Sequence, residues 1–303
     1  MLPQPIPQES FTMSALFRSD VTAVGDYRAE LGETPVWCQR TQSLLWVDIL
    51  AQRVLRYWPE TKKTEIHDLP SITSAVLLTE KRNLFLLVSI DGIHLYDYDL
   101  KSRQTICGYF GAEGTRPNEA AIAPDGSLWF GTLDLKEEKN NGAWYRYEAG
   151  ADTPEMMLDN VGITNTLVWY EGKVWFADTR KNRFYSANAR RINPQKISCF
   201  SSGDKSPDGS ALAQNGWLIT ACWGSHCLLR QQINQGELLT LDTAPVPVTQ
   251  PSCCTFGGPD MTELYITSAR KTLEAPHALE GALLHVQTST VGAPQNLFKL
   301  QKP

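Results

Sequence analysis

Apolar residues along this chain come in strand-length runs separated by turn residues, with no sustained helical period. A short pattern of bulky apolar residues recurs as Leu45-Trp46-Val47-Asp48, Phe85-Leu86-Leu87-Val88 and Leu128-Trp129-Phe130-Gly131. It returns as Val174-Trp175-Phe176-Ala177, Trp217-Leu218-Ile219-Thr220 and Leu264-Tyr265-Ile266-Thr267. Most copies follow a turn, such as Pro124-Asp125-Gly126, Glu171-Gly172, Asn215-Gly216 or Gly258-Pro259-Asp260. Glycine-containing turns between apolar runs are hairpin signals, because glycine adopts the positive φ that tight turns need.

Upstream of each turn lies another apolar run, and a polar residue followed four positions later by a large apolar one aligns the units. The pairs are Glu33 and Trp37, Ser74 and Leu78, Asn118 and Ile122, Asn165 and Trp169, Asp208 and Leu212, and Ser252 and Phe256. Successive intervals are 41, 44, 47, 43 and 44 residues, the period of a four-stranded propeller blade. The reading is therefore all-β: a six-bladed β-propeller with four antiparallel strands per blade, one terminal strand completing the last. A β-sandwich of similar strand content is the alternative, and it has no reason to keep so regular a spacing.

In a propeller the innermost strand of each blade lines the central channel, so equivalent positions face one another across the axis. The six aligned polar residues are expected just before those strands, converging at one mouth. All carry oxygen, two are carboxylates and none is basic. Carboxylate and amide oxygens suit a hard cation such as Ca²⁺, Mg²⁺ or Mn²⁺. Zn²⁺ is an alternative whose usual His and Cys donors are missing from the ring. The competing account is that these groups bond to turns or to channel water.

Charge and composition remove other classes. The chain of 303 residues carries a net charge of −5, with Lys and Arg scattered, which argues against nucleic acid as a partner. The longest apolar run, Leu84 to Ile90, is strand length, which argues against a membrane helix. Residues 1–14 read as a flexible Pro- and Gln-rich extension without the features of a secretory signal, and 15–303 as a single propeller domain. The seven cysteines show no CxxC pair and are expected as free thiols in a reducing, cytoplasmic setting. GxSxG, HExxH, Walker and GxGxxG motifs are missing from the sequence.

Several segments resemble the SMP-30/gluconolactonase/regucalcin-like family, from about residue 20 to the C-terminus. They are Leu31-Gly32-Glu33-Thr34-Pro35-Val36-Trp37, Arg116-Pro117-Asn118-Glu119, Pro124-Asp125-Gly126-Ser127-Leu128-Trp129 and Ile163-Thr164-Asn165-Thr166-Leu167. Phe176-Ala177-Asp178-Thr179, Pro207-Asp208-Gly209 and Cys253-Cys254-Thr255-Phe256-Gly257-Gly258-Pro259-Asp260 complete the set.

The resemblance implies a six-bladed propeller with one divalent metal ion, Ca²⁺ first among the candidates, that opens sugar lactones. It carries the metal-ligand role onto Glu33, Asn165 and Asp208, and contact with substrate hydroxyls onto Arg116 and Asn118. Two departures stand out: Asn118-Glu119-Ala120 replaces the Asn-Asp-Gly of some members, and Lys136 falls where some place a substrate-contacting Glu. That role is not transferred to Glu137 or Glu138.

The expected activity is a metal-dependent, gluconolactonase-like sugar lactonase, a carboxylic ester hydrolase that turns an aldono-lactone into its aldonic acid. Asp208 is the candidate base that orients the attacking water and takes its proton. Trp37 reads as core between blades, Trp223 as a candidate to pack a sugar face, and His226 as a solvated loop residue. The alternatives are a hydrolase of other esters or non-sugar lactones on the same site, or a non-catalytic calcium-binding propeller.

Overall fold

All six recurring apolar patterns fall in the second strands of six four-stranded antiparallel sheets. The computed structural model describes residues 15–108 and 111–301, so the extension expected over residues 1–14 lies outside the described residues. Blades 1 to 5 take their strands in chain order, whereas blade 6 is ordered so that Thr22–Val24 pairs outside Leu283–Gln287. The N-terminal strand thus completes the last blade and closes the ring. Among the described residues the only helices are single 3₁₀ turns at Thr179–Lys181 and Pro194–Lys196. No helix of the described chain is long and apolar enough to cross a membrane.

The turns obey local chemistry. Tyr170 pairs with Lys173 across a two-residue turn whose central residues, Glu171 and Gly172, both have positive φ (50° and 73°). That conformation matches the twist of the strands it joins. The core lies between blades, where large apolar side chains from neighbouring sheets meet. Trp37 of blade 1 stacks on Tyr265 of blade 6 with ring centroids 5.8 Å apart, as expected of a core residue.

The inner strands of blades 1 to 6 are Gly32–Cys38, Thr73–Leu78, Thr115–Ile122, Thr164–Tyr170, Ser206–Leu212 and Pro251–Gly257. Neighbouring inner strands touch around the whole ring. In every blade the pairing of the inner strand with the second strand is broken once, at the aligned polar position. The shifts fall between Glu33 and Val36, Thr73 and Ala75, Pro117 and Ala120, Asn165 and Leu167, Pro207 and Ser210, and Pro251 and Cys253. The polar residues therefore sit inside the strand at a β-bulge, not just before it. A bulge adds an unpaired residue and re-aims its side chain.

These bulges also tie the blades together. Thr34 Oγ1 donates to Ser74 O at 2.8 Å, Ser74 Oγ to Pro117 O at 2.5 Å, and Asn118 Nδ2 to Thr164 O at 2.9 Å. Thr166 Oγ1 donates to Asp208 O at 2.6 Å, and Ser252 Oγ closes the circle onto Gly32 O at 2.5 Å. At the junction of blades 5 and 6 the bond is a thiol's: Cys254 Sγ donates to Ile219 O at 3.2 Å. There Gly209 lies so close to Cys253 that a Cβ would collide with its side chain.

The opposite end of the channel is crossed by a C-terminal strap. Gly292 N donates to Met261 O and Ala293 N to Leu212 O, on blades 6 and 5. Asn296 Nδ2 bonds Ile122 O of blade 3, and Phe298, itself buried, bonds Leu78 O of blade 2 through its N–H. Residues 293–296 line, together with the inner strands, a cavity of about 300 Å³ at that end.

Candidate active site

At the other mouth, the bulges aim Glu33, Asn118, Asn165 and Asp208 into one cavity of about 80 Å³, and Arg116 joins them. All five residues singled out from the sequence are brought together. The remaining two ring positions do not converge. Ser74 and Ser252 are fully buried and spend their hydroxyls on the neighbouring blade's backbone. The six-membered oxygen ring expected from the register is therefore four-membered at this mouth. A serine side chain is too short to pass its own strand once it has bonded sideways.

The orientation of Asn165 is fixed by a relay. Thr179 Oγ1 donates to Pro207 O at 2.6 Å, so it must accept, and it accepts from Asn165 Nδ2 at 2.7 Å. The amide oxygen of Asn165 is thereby turned the other way, where it accepts from Asn118 Nδ2 at 3.3 Å. Asn118 is held as firmly: its Oδ1 accepts from Arg116 at 3.1 Å while its amide donates to Thr164 O. Arg116 also donates to Pro117 O at 2.9 Å and is buried.

Three buried carboxyl groups crowd the channel, Glu33 and Asp208 in this cavity and Glu119 behind them on the strap side. Burial lifts Glu33 to about 7, against the pull of the Thr34 N–H and of Arg116. Burial followed by the charge of Glu33 lifts Glu119 to about 8. Asp208 is pushed well above the ordinary carboxylate range by burial first, then by Glu33 and Glu119. Charged groups held apart from water and next to like charges resist ionising together. A cation among them would remove both penalties.

Among the described residues, no three His, Cys, Asp or Glu side chains form a cage for an ion by themselves. A cation here would draw on the Asn165 amide oxygen together with Glu33 and Asp208. That mixed carboxylate and amide set is the donor chemistry of hard cations. The oriented amide and the crowded carboxyls therefore fit a divalent ion. None of the five histidines lines this cavity, and His226 is exposed in a turn.

In and around the cavity stand some residues to which no role was assigned from sequence, beside Trp223, to which one was. Glu119 stands on the far side of the bulge from Asn118 and lines the strap-side cavity. Thr179 was visible only as part of a motif. Above the mouth, Glu137 and Lys271 form an ion pair, and Trp223 supplies an aromatic wall.

Comparison with known proteins agrees with the motifs. A profile described as the SMP-30/gluconolactonase/LRE-like region matches residues 31–270. The chain belongs to this family. It is 29% identical over 280 residues to the 6-deoxy-6-sulfogluconolactonase of Pseudomonas putida, covering 88% of this chain and 94% of that protein. It is also 29% identical over 287 residues to the L-arabinolactonase of Azospirillum brasilense, covering 89% and 93%. Among solved structures, a regucalcin from Agrobacterium tumefaciens, described as a calcium-binding protein, superposes with a TM-score of 0.83. It is 23% identical and covers 94% of this chain and 97% of that one, a likeness of fold.

Proposed function

We propose that this family member is a sugar lactonase that binds one divalent cation, Ca²⁺ by preference, through Glu33, Asn165 and Asp208. The observation that carries the reading is the convergence of these three side chains with Arg116 and Asn118 on one cavity. The lactonase names of two relatives that align over nearly the whole chain support it. The substrate is an aldono-lactone and the product its aldonic acid.

When bound, a divalent ion would polarise the lactone carbonyl and lower the pKa of adjacent water. The chain's own residues do the rest. Asp208, buried at the edge of the cluster, orients the attacking water and accepts its proton. Arg116 presents a planar fork of donors, held in place by Pro117 O and Asn118 Oδ1, to the ring hydroxyls. Asn118 stands beside it as a second hydroxyl contact. Thr179 keeps the Asn165 amide from turning its nitrogen inward. Trp223 offers a flat apolar surface to a sugar ring.

The test is a pH-stat assay of acid release from aldono-γ- and δ-lactones, corrected for spontaneous opening. Chelation should abolish turnover and Ca²⁺ restore it. Asp208→Ala should lower kcat by at least about 100-fold, the usual contribution of a general base, while circular dichroism shows the β-sheet intact. Turnover near that of the unaltered protein would remove Asp208 from its role.

A further inference from the structure

The Glu137–Lys271 ion pair joins residues 134 apart in sequence. Glu137 stands in the loop after the second strand of blade 3, and Lys271 in the loop after the second strand of blade 6. In a six-bladed ring these blades are diametrically opposite, so the pair bridges the channel mouth. Both ends are braced. Arg180 of blade 4 donates to the main-chain oxygen of Glu137. Lys271 N donates to Glu30 O at 3.0 Å, and Lys271 O accepts from Gln250 Nε2 at 2.8 Å.

Both side chains also line the cavity that holds Glu33, Asn165 and Asp208. At about 80 Å³ that cavity has room for a few waters, each filling ~30 Å³ in the liquid. Small-molecule pockets usually run to ~300 Å³ or more. A sugar lactone that reaches this cluster outgrows the cavity and lies against Glu137 and Lys271, and parting their bond leaves an ammonium and a carboxylate facing it.

We propose that Glu137 and Lys271 form a clasp that sets substrate specificity by reading the end of the lactone farthest from its carbonyl. The inference rests on the lactonase reading and deepens it. Lys271 donates to hydroxyls on that tail and Glu137 accepts from them, so a neutral, polyhydroxylated tail satisfies both. A tail ending in a carboxylate meets Glu137 as a like charge and is disfavoured. Lys271 alone would attract such a tail; it is Glu137 that cancels the attraction.

The experiment compares ratios of kcat/KM with Ca²⁺ present. The substrates are an aldonolactone, the matching aldarolactone with its distal carboxylate, and an unsubstituted δ-lactone. Lys271→Met should lower the ratio of aldonolactone to unsubstituted lactone about 10-fold, the scale of one charged hydrogen bond. Glu137→Gln should raise the ratio of aldarolactone to aldonolactone about 10-fold. Calorimetric titration with glucarate and gluconate should show the same gain for Glu137→Gln in binding alone. Ratios that stay constant while all rates change together would overturn the clasp and leave the pair a structural brace. Absence of turnover of every lactone by the unaltered protein would instead overturn the lactonase reading. The clasp would then stand or fall on the titration.

Discussion

The side chain on which the site's geometry turns is Thr179, because it decides which face Asn165 shows to the cavity. Its hydroxyl has one proton, given to Pro207 O, and so can only accept from the Asn165 amide. Thr179→Val removes that acceptor at nearly constant shape and lets the amide rotate. Groups that orient a metal ligand usually contribute 10–100-fold to affinity. Calcium titration by calorimetry should therefore show Thr179→Val binding about 10-fold more weakly, with the melting temperature of the chelated protein little changed. Equal affinity would mean that Asn165 is held by something else. Thr179 stood in a quoted motif, yet nothing in sequence tells which of its neighbours a threonine hydroxyl will choose. The carboxylates of the proposed site were legible for a different reason. Glu33 and Asp208 recur at blade intervals, and period alone places them on a common axis.

At the scale of the strand, the repeated β-bulge is what converts a period into a site. The hydrophobic pattern located every second strand, since unbroken runs such as Leu128-Trp129-Phe130 pack on both faces. It located the inner strands too, but not the bulge. An extra residue resets the alternation of side chains locally and looks in sequence like a shorter strand beginning later. Hence Ser74 and Ser252 were expected at the mouth and are found holding neighbouring blades.

Gly209 marks a close approach of blades 5 and 6, in the bulge that presents Asp208. Gly209→Ala would push a methyl into the Cys253 side chain. Forcing a methyl group into packed space typically costs about 1–3 kcal/mol. Thermal unfolding should show a clear loss of stability, and calcium affinity should fall with it as Asp208 shifts. A stable variant with undiminished calcium binding would show that blades 5 and 6 can part without disturbing the ligand. The clasp residues, by contrast, left no periodic signal, because their contact joins two loops on opposite blades.

For the molecule as a whole, the crowded carboxyls link ion binding to pH. Glu33 and Glu119 have ordinary values of 4.5 and are raised in the fold to about 7 and about 8, with Asp208 raised as well. Without a cation, the folded chain holds protons that the unfolded chain has already released across this window. Stability of the cation-free protein is then fully present below the ordinary values and is lost as pH rises through the raised ones. A bound divalent ion favours the charged carboxylates and removes that loss. Calorimetric melting with chelator and with saturating Ca²⁺ should give curves close together near about pH 5 and well apart near about pH 8. A gap that is constant or narrows with pH would contradict the linkage.

The strap that runs from blade 6 past blades 5, 3 and 2 has a consequence for traffic along the axis. A ring of blades is by construction a tube, and barring one end makes it a cul-de-sac. In the proposed lactonase, a substrate that passes over Trp223 meets the strap at the far end. Arrival and departure must take turns at one doorway, and a spent molecule that lingers there keeps out the next.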